Sequence, residues 1–324
     1  MTKLKSELQD RQLAVVVLAA GRSTRMGSDL PKVLHPLAGL PILCHVDANV
    51  AALNPDCTIL VIAPGGEELA TAVAGSVLVV QTEPNGTADA VERSAAELDG
   101  FDGDVLIVYG DSPFLSSGTM ESMLDVRRAP DGPAVVVLGF ESEAPGRYGR
   151  LVLDADGGLA EIVEAAEATP AQLTAHLCNS GMMVVDGAHL YGLLAEVRAN
   201  NVKKERYLTD IVRFARDGGL GCAFVSGAED ELMGIDTRAD LAIAEANIQT
   251  RLRAAAMAGG ATLIDPQTVF FSFDTSIGRD VIIEPGVFFG PGVSIGDGAH
   301  IRAYSHVEGT EIGEGRAQDE VGRA

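Results

Sequence analysis

Two cations seven residues apart, Arg25 and Lys32, follow a glycine turn in LAVVVLAAGRSTRMGSDLPKVL, residues 13–34. Such side chains suit a polyphosphate, because arginine grips phosphate oxygens bidentately and lysine acts as a point charge. The turn at Gly21 can offer backbone N–H groups to the same anion. It fits neither GxxxxGK[ST] nor GxGxxG, since Arg22 and Ser23 follow Gly21. A second chemical group is Asp111, delivered by the apolar run of VLIVYGDSPFL, residues 105–115, at its carboxyl end. Open α/β sheets bind ligands at that edge. A carboxylate there suits Mg²⁺, which takes hard oxygens and commonly uses one or two carboxylates plus substrate phosphates. The plainer alternatives are surface ion pairs for Arg25 and Lys32, and for Asp111 a cap on the following turn.

The elements that must hold these groups show as apolar runs bounded by Gly, Pro or Asp. They are LAVVVLAA, CTILVIA, VLVVQ, DVLIVYGD, AVVVLGF, GMMVVD and CAFVS, between residue 13 and about 225. Continuous β-branched runs indicate strands covered on both faces, as in parallel sheets. Between them, GTADAVERSAAEL places Ala88, Val91, Ala95 and Leu98 at near-helical spacing, and MESMLDVRRA is similar. The fold class expected is α/β, a doubly wound and mostly parallel sheet. Residues 236–260 then read as a connecting helix, with Asp236 or Thr237 as N-cap and Gly259-Gly260 to end it. Beyond it, Ile277, Ile283, Phe289, Ile295, Ile301 and Val307 recur every six residues. That period predicts a short parallel β-helix whose large aliphatic and aromatic side chains fill the interior. Three hexapeptides per coil would make about two coils of it. The expected layout is a polar leader at 1–12, the α/β domain at 13–235, the helix at 236–260, the β-helix at 261–313 and a polar tail at 314–324.

Composition narrows the partners. The 324 residues carry 24 Lys plus Arg against 46 Asp plus Glu, a net charge of −22. A broad nucleic-acid or anionic-membrane surface is excluded on electrostatic grounds, and an anionic ligand needs a local basic cluster. The four cysteines, Cys44, Cys57, Cys178 and Cys222, lack metal-ligand spacing and read as reduced core thiols. The start MTKLKSELQD has no signal-peptide pattern and no apolar run reaches about 18 residues, so the expected location is cytoplasmic.

Eight ordered motifs, LAAGRSTRMGSDLPKVLHPLAG, QTEPNGTADAV, YGDSPFL, YGR, IVEAAEAT, NSGMMVVDG, ERYLTD and MGIDTR, precede the hexapeptides. Together they closely resemble the bacterial bifunctional N-acetylglucosamine-1-phosphate uridylyltransferase/glucosamine-1-phosphate acetyltransferase family, over about residues 13–313. The resemblance implies a Rossmann-like nucleotidyltransferase fold followed by a left-handed β-helix. It implies transfer of uridylyl from UTP to N-acetylglucosamine 1-phosphate, giving UDP-N-acetylglucosamine, a cell-wall precursor, and pyrophosphate. Carried over residue by residue, Arg25 and Lys32 would be catalytic. Leu18, Ala20, Gly21, Gln81, Gly86 and Thr87 would bind the nucleotide, the Gln81 amide offering a donor and an acceptor to the base. Tyr109, Gly149, Glu164 and Asn179 would bind the sugar, and Asp111 with Asp236 would hold Mg²⁺. His35 reads as structural. The family's β-helix forms a homotrimer, and its acetyltransferase site lies on later coils, so neither acetyl transfer nor acetyl-coenzyme A binding is expected.

Several positions depart from the family pattern. Ser23 stands for Gly, Ala166 for Lys, Ser180 for Thr, Arg206 for the first of two Tyr, and Asp236 for Asn. Ala166 matters most, because it removes a cation near the expected sugar site. The alternatives are a related sugar-1-phosphate nucleotidyltransferase with another sugar or base, and a non-catalytic UDP-sugar binder or trimer scaffold.

Overall fold

The computed structural model describes residues 11–21, 24–73 and 75–315. The position of Ser23 and most of the expected leader and tail lie outside the described residues. The chain divides into two compact units, one of residues up to 34 together with 42–234, the other of 35–41 and 235 onward.

The first unit is built on β1 (Leu13–Ala19), β2 (Cys57–Ile62), β3 (Val77–Val80), β4 (Asp104–Tyr109), β5 (Val135–Glu141), β6 (Arg150–Leu153), β7 (Leu159–Val163), β8 (Leu177–Asp186) and β9 (Cys222–Ser226). The main sheet runs β9-β5-β8-β4-β1-β2-β3, with β6 on β8 and β7 on β6. Pairing is parallel for β1 with β2 and β4, for β2 with β3 and for β5 with β9. The long strand β8 is antiparallel to all three of its partners, β4, β5 and β6. Alternate side chains of β1 explain the two-sided core: Ala14, Val16 and Leu18 enter one apolar cluster, Leu13, Val15 and Val17 the other. Both faces are therefore covered, as the continuous apolar runs require.

Helices α1 (Ile42–Ala51), α2 (Thr87–Glu92), α3 (Ser117–Arg127), α4 (Gly187–Glu196) and α5 (Asp210–Asp217) belong to this unit. Helix α2 is shorter than the apolar spacing predicts. The Ser94 hydroxyl donates to Val91 O at 2.6 Å, and Ser94, Ala95 and Glu97 continue in i to i−3 turns instead. The hairpin β6–β7 was not foreseen from the runs. Its turn is closed by Asp154, whose carboxylate accepts from Gly158 N at 2.8 Å and Asp156 N at 3.1 Å.

In the second unit, α6 (Arg238–Ala258) is capped by Thr237 rather than Asp236: Thr237 Oγ1 accepts from Asp240 N at 3.1 Å and Asp240 Oδ2 accepts from Thr237 N at 2.8 Å. Two-residue strands then stack in parallel on three faces: Thr262–Leu263 under Ile282–Ile283 and His300–Ile301, Ser276–Ile277 under Ser294–Ile295 and Glu311–Ile312, and Phe288–Phe289 under His306–Val307. Phe270 bridges Phe288 below the last pair. Each face has three levels, one more than the six-residue period indicated. The first level steps from Leu263 to Phe271 before the strict repeat begins, and so hides from a period count. Ile283, Phe289, Ile295 and Ile301 point inward and are buried. The hairpin strands Pro36–Leu37 and Leu40–Pro41 join this unit, where Ala38 N donates to Glu245 Oε2 at 2.8 Å. His35 is buried here with Nδ1 3.3 Å from the Arg238 guanidinium, a structural setting. No helix among the described residues is long and apolar enough to cross a membrane.

Candidate active site

A cavity of about 700 Å³ opens at the carboxyl ends of β1 and β4, with every lining residue from the first unit. This is where the strand order reverses, since β1 continues to β2 on one side and lies against β4 on the other. Its size is that of a small-molecule site.

One wall carries Leu18, near the end of β1, with Ala20 and Gly21 just beyond it. Lys32 follows on a single 3-10 turn, Lys32–Leu34, started by Pro31 and anchored by buried Val33. The Lys32 ammonium forms an ion pair with Asp111 Oδ2 inside the cavity. In the following turn Asp111 Oδ1 accepts from the Ser112 hydroxyl at 3.2 Å, while the next helix is capped by Ser116 Oγ, which accepts from Thr119 N at 3.2 Å. The Asp111 carboxylate is thus presented at the strand end beside the Lys32 ammonium. Arg25 sits on the 3-10 turn Thr24–Met26, exposed, and is not among the residues lining the cavity. Asp236 belongs to the second unit.

The next wall carries Gln81, Gly86 and Thr87. Gln81 Nε2 donates to Gly86 O at 3.0 Å and to Asp89 Oδ2 at 2.8 Å. Both amide hydrogens are thus engaged, and Oε1 is the polar atom left for a ligand, so the side chain offers an acceptor rather than the donor and acceptor expected. Gly86 has φ +107°, and a Cβ there would lie 2.4 Å from Arg206 O. The two segments are laced together: Arg206 N donates to Asn85 O at 2.7 Å, Ala88 N to Arg206 O at 3.0 Å, and Leu208 N to Thr87 Oγ1 at 3.0 Å. The Arg206 side chain explains its departure from tyrosine. It bridges Glu92 at 2.5 and 3.3 Å, Leu194 O at 2.7 Å and Val197 O at 3.2 Å, tying α2 to the end of α4.

The far wall gathers Tyr109, Gly149, Glu164 and Asn179. Strand β8 changes register against β5 between Asn179 and Met183. In this bulge Asn179 Oδ1 accepts from Gly181 N at 3.0 Å and the Ser180 hydroxyl donates to Leu138 O at 2.7 Å. Bulges re-aim side chains beside sites. Gly181, at φ +86°, lets the Tyr109 ring lie against it, since a Cβ there would be 2.7 Å from Tyr109 Cε2. Burial, Asp111 and Glu164 all push the Tyr109 phenol up, so its hydroxyl stays a donor. Burial raises Glu164 also, against a hydrogen bond from Thr209 Oγ1 at 3.1 Å and the charge of Lys203.

Residue types alone did not single out Arg147, Lys203, Tyr207 and Thr209, which line the same cavity. Tyr207 and Thr209 lie in the ERYLTD motif, a signal that was present. Burial and surrounding carboxylates push Tyr207 up to about 12. Arg147 and Lys203 lie in no run whose period marks them. Ala166 is exposed and does not line the cavity. Cys178 and Cys222 are buried, Cys44 and Cys57 half-buried, all with free thiols.

Residues 15–199 match the MobA-like NTP transferase domain, and 274–309 match the bacterial transferase hexapeptide of six repeats. A protein of Paramagnetospirillum magneticum named Bifunctional protein GlmU is 53% identical over 86% of this chain and 62% of its own length. The protein of that name from Rhodospirillum rubrum is 53% identical over 83% of this chain and 60% of its own, and that of Sphingopyxis alaskensis 50% identical over 94% and 67%. The chain thus spans about three fifths of the length of the first two. With the transferase domain matched over more than half of its residues and relatives of this identity along most of its length, the chain belongs to the MobA-like NTP transferase domain family and, within it, to the GlmU proteins.

Proposed function

We propose that this chain transfers uridylyl from UTP to N-acetylglucosamine 1-phosphate, releasing pyrophosphate. The observation that carries this reading is the single cavity that brings together the Gly21 turn, the Lys32–Asp111 pair, the Gln81–Thr87 loop and the Tyr109, Glu164 and Asn179 wall. Gln81 Oε1 would accept from a base N–H, with the Gly86–Thr87 turn fixing the ribose end. The acceptor's hydroxyl and amide groups would meet Tyr109, Asn179 and Glu164. An oxygen of the sugar phosphate attacks the α-phosphorus of UTP in line, and the bond to the β-phosphate oxygen breaks. The phosphate nucleophile is already an anion, so no general base is needed and positioning with charge neutralisation does the work. Lys32, held at the strand end by Asp111, meets the charge on the reacting phosphates. Arg25 is assigned to the triphosphate from the resemblance.

The donor set fits Mg²⁺. Among the described residues no three His, Cys, Asp or Glu side chains converge as a metal cage, and an ion that retains waters and binds substrate phosphates needs only one or two carboxylates. Asp111 supplies one in the cavity, and Asp236 is assigned as the second from the resemblance alone, standing where the family has Asn. When bound, the ion would neutralise charge on the phosphates. Cytoplasmic location and homotrimers formed through the hexapeptide unit complete the reading; sedimentation showing only monomer at micromolar concentration would remove the trimer.

The test is pyrophosphate release from UTP, Mg²⁺ and N-acetylglucosamine 1-phosphate, beside glucose 1-phosphate, glucosamine 1-phosphate and the other nucleoside triphosphates. Release selective for the first combination is expected. No release with any pair, from folded protein, would sink the reading.

A further inference from the structure

The Gln81 amide in the cavity wall is held from behind. Its backbone N–H donates to Ile62 O at 2.8 Å, extending the pairing of β3 with β2 by one residue and fixing where the side chain starts. From there Nε2 reaches the start of α2, donating to Gly86 O at 3.0 Å and to Asp89 Oδ2 at 2.8 Å. Gln81 is 8% exposed and Asp89 3%, so the bond between them is shielded from water. Gln81 lines the cavity, whereas Asp89 is not among the lining residues and stands behind the wall. Asp89 Oδ1 pairs in turn with the partly exposed Arg93 guanidinium, one helical turn on.

These contacts decide which end of the amide a ligand meets. A backbone carbonyl and a carboxylate paired with arginine offer only acceptor sites. Turning the amide over would therefore set Oε1 against two oxygens and leave both without a donor. With the two amide hydrogens engaged, the side chain has only an acceptor to give, and a free glutamine amide would have had both.

We propose that Asp89 is a positioning residue for base selection: by taking one Gln81 amide hydrogen it locks Oε1 toward the cavity, so that the site takes UTP in preference to CTP. The proposal rests on the reading above, in which Gln81 meets the base. Uracil carries a hydrogen on N3, which a locked acceptor can take. Cytosine has a lone pair at the same position, and the locked oxygen would face it. A rotatable amide could serve either base, so the selectivity belongs to the pair and not to Gln81 by itself. Asp89 touches no ligand and acts through the residue in front of it.

The experiment titrates UTP and CTP into the chain and measures kcat/KM for each with N-acetylglucosamine 1-phosphate. The wild-type chain should prefer UTP, and in Asp89→Ala that preference should fall about tenfold, the loss of one buried hydrogen bond to a charged group while Gly86 O keeps the other hydrogen. Asp89→Asn retains an acceptor oxygen for Gln81 and should hold the preference within about threefold of wild type. Arg93→Gln removes the ion pair but not the amide contact and should hold it as well. A merely structural Asp89 would weaken both nucleotides alike, so an unchanged ratio in folded Asp89→Ala, or no preference in the wild type, overturns the proposal. A second measurement needs no nucleotide and no variant at position 89: hydrogen exchange of the Gln81 side-chain amide in ¹⁵N-labelled protein, assigned with Gln81→Glu. Protection of these protons is expected, and exchange as fast as that of surface glutamines would overturn the lock. A wild-type chain that binds neither nucleotide and releases no pyrophosphate would sink the functional reading and leave the exchange to decide whether Asp89 holds the amide.

Discussion

Arg206→Ala removes four contacts at one stroke, two to Glu92 and one each to Leu194 O and Val197 O. The Glu92 pair is partly exposed, with side-chain exposures of 21% and 37%, so it is discounted to about 0.5–1 kcal/mol. Each carbonyl contact at the end of α4 is a hydrogen bond to a charged donor near a helix C-terminus, about 1 kcal/mol apiece. The total is about 2–3 kcal/mol, and for a unit of this size it should lower Tm by roughly 4–12 °C. Activity should respond through the loop that Arg206 backs. Its main chain holds Asn85 and Ala88, so KM for UTP should rise several-fold with kcat nearly unchanged, because the guanidinium touches no substrate. Thermal unfolding and steady-state kinetics on Arg206→Ala, Glu92→Gln and the double variant form a cycle. A coupling energy of about 0.5–1 kcal/mol between 206 and 92 is expected. Tm unchanged within about 1 °C, with no coupling, would refute the bridging role and return Arg206 to an ordinary surface residue.

Lys32→Ala should lower kcat/KM by roughly 10²–10³, and Asp111→Ala should abolish Mg²⁺-dependent pyrophosphate release; near-normal rates in either would remove that residue from the chemistry. Gly181→Ala must place a Cβ within 2.7 Å of Tyr109 at φ +86°, so a loss of about 2–4 kcal/mol in urea unfolding is expected, together with a higher KM for the sugar phosphate from the displaced ring. The Asp154 carboxylate is held below the usual range by Gly158 N, Asp156 N and Arg216. Its contribution is therefore complete above the ordinary carboxylate range and lost as pH falls through the lowered value. Asp154→Asn should accordingly destabilise the fold at pH 7 and leave it unchanged at strongly acid pH, and equal urea midpoints at both would contradict the sign.

The amino-acid order by itself determined what depends on local period and composition. Continuous apolar runs named the seven strands of the main sheet, six-residue recurrence named the stacked β-helix, and the Gly21 and Asp111 segments pointed to a ligand by type and place, whereas Gln81–Thr87 was marked only by the family resemblance. Capping chemistry was nearly legible too, with Thr237 and Asp236 the two candidates and side-chain geometry choosing Thr237. What only the tertiary structure decided are pairings between residues far apart in the chain. The β6–β7 hairpin brings Gly149 and Glu164 to the cavity by joining β8. Arg206 meets Glu92 across 114 residues, and Thr209 meets Glu164 across 45. Gln81 loses its amide donor to Asp89 and Gly86, so the side chain's polarity toward a ligand follows from folding rather than from residue type. Periodicity reports which face a residue turns to the core, because that is set by backbone geometry within a few residues. Partner choice among side chains is set by loop paths and sheet order, and no local pattern encodes it.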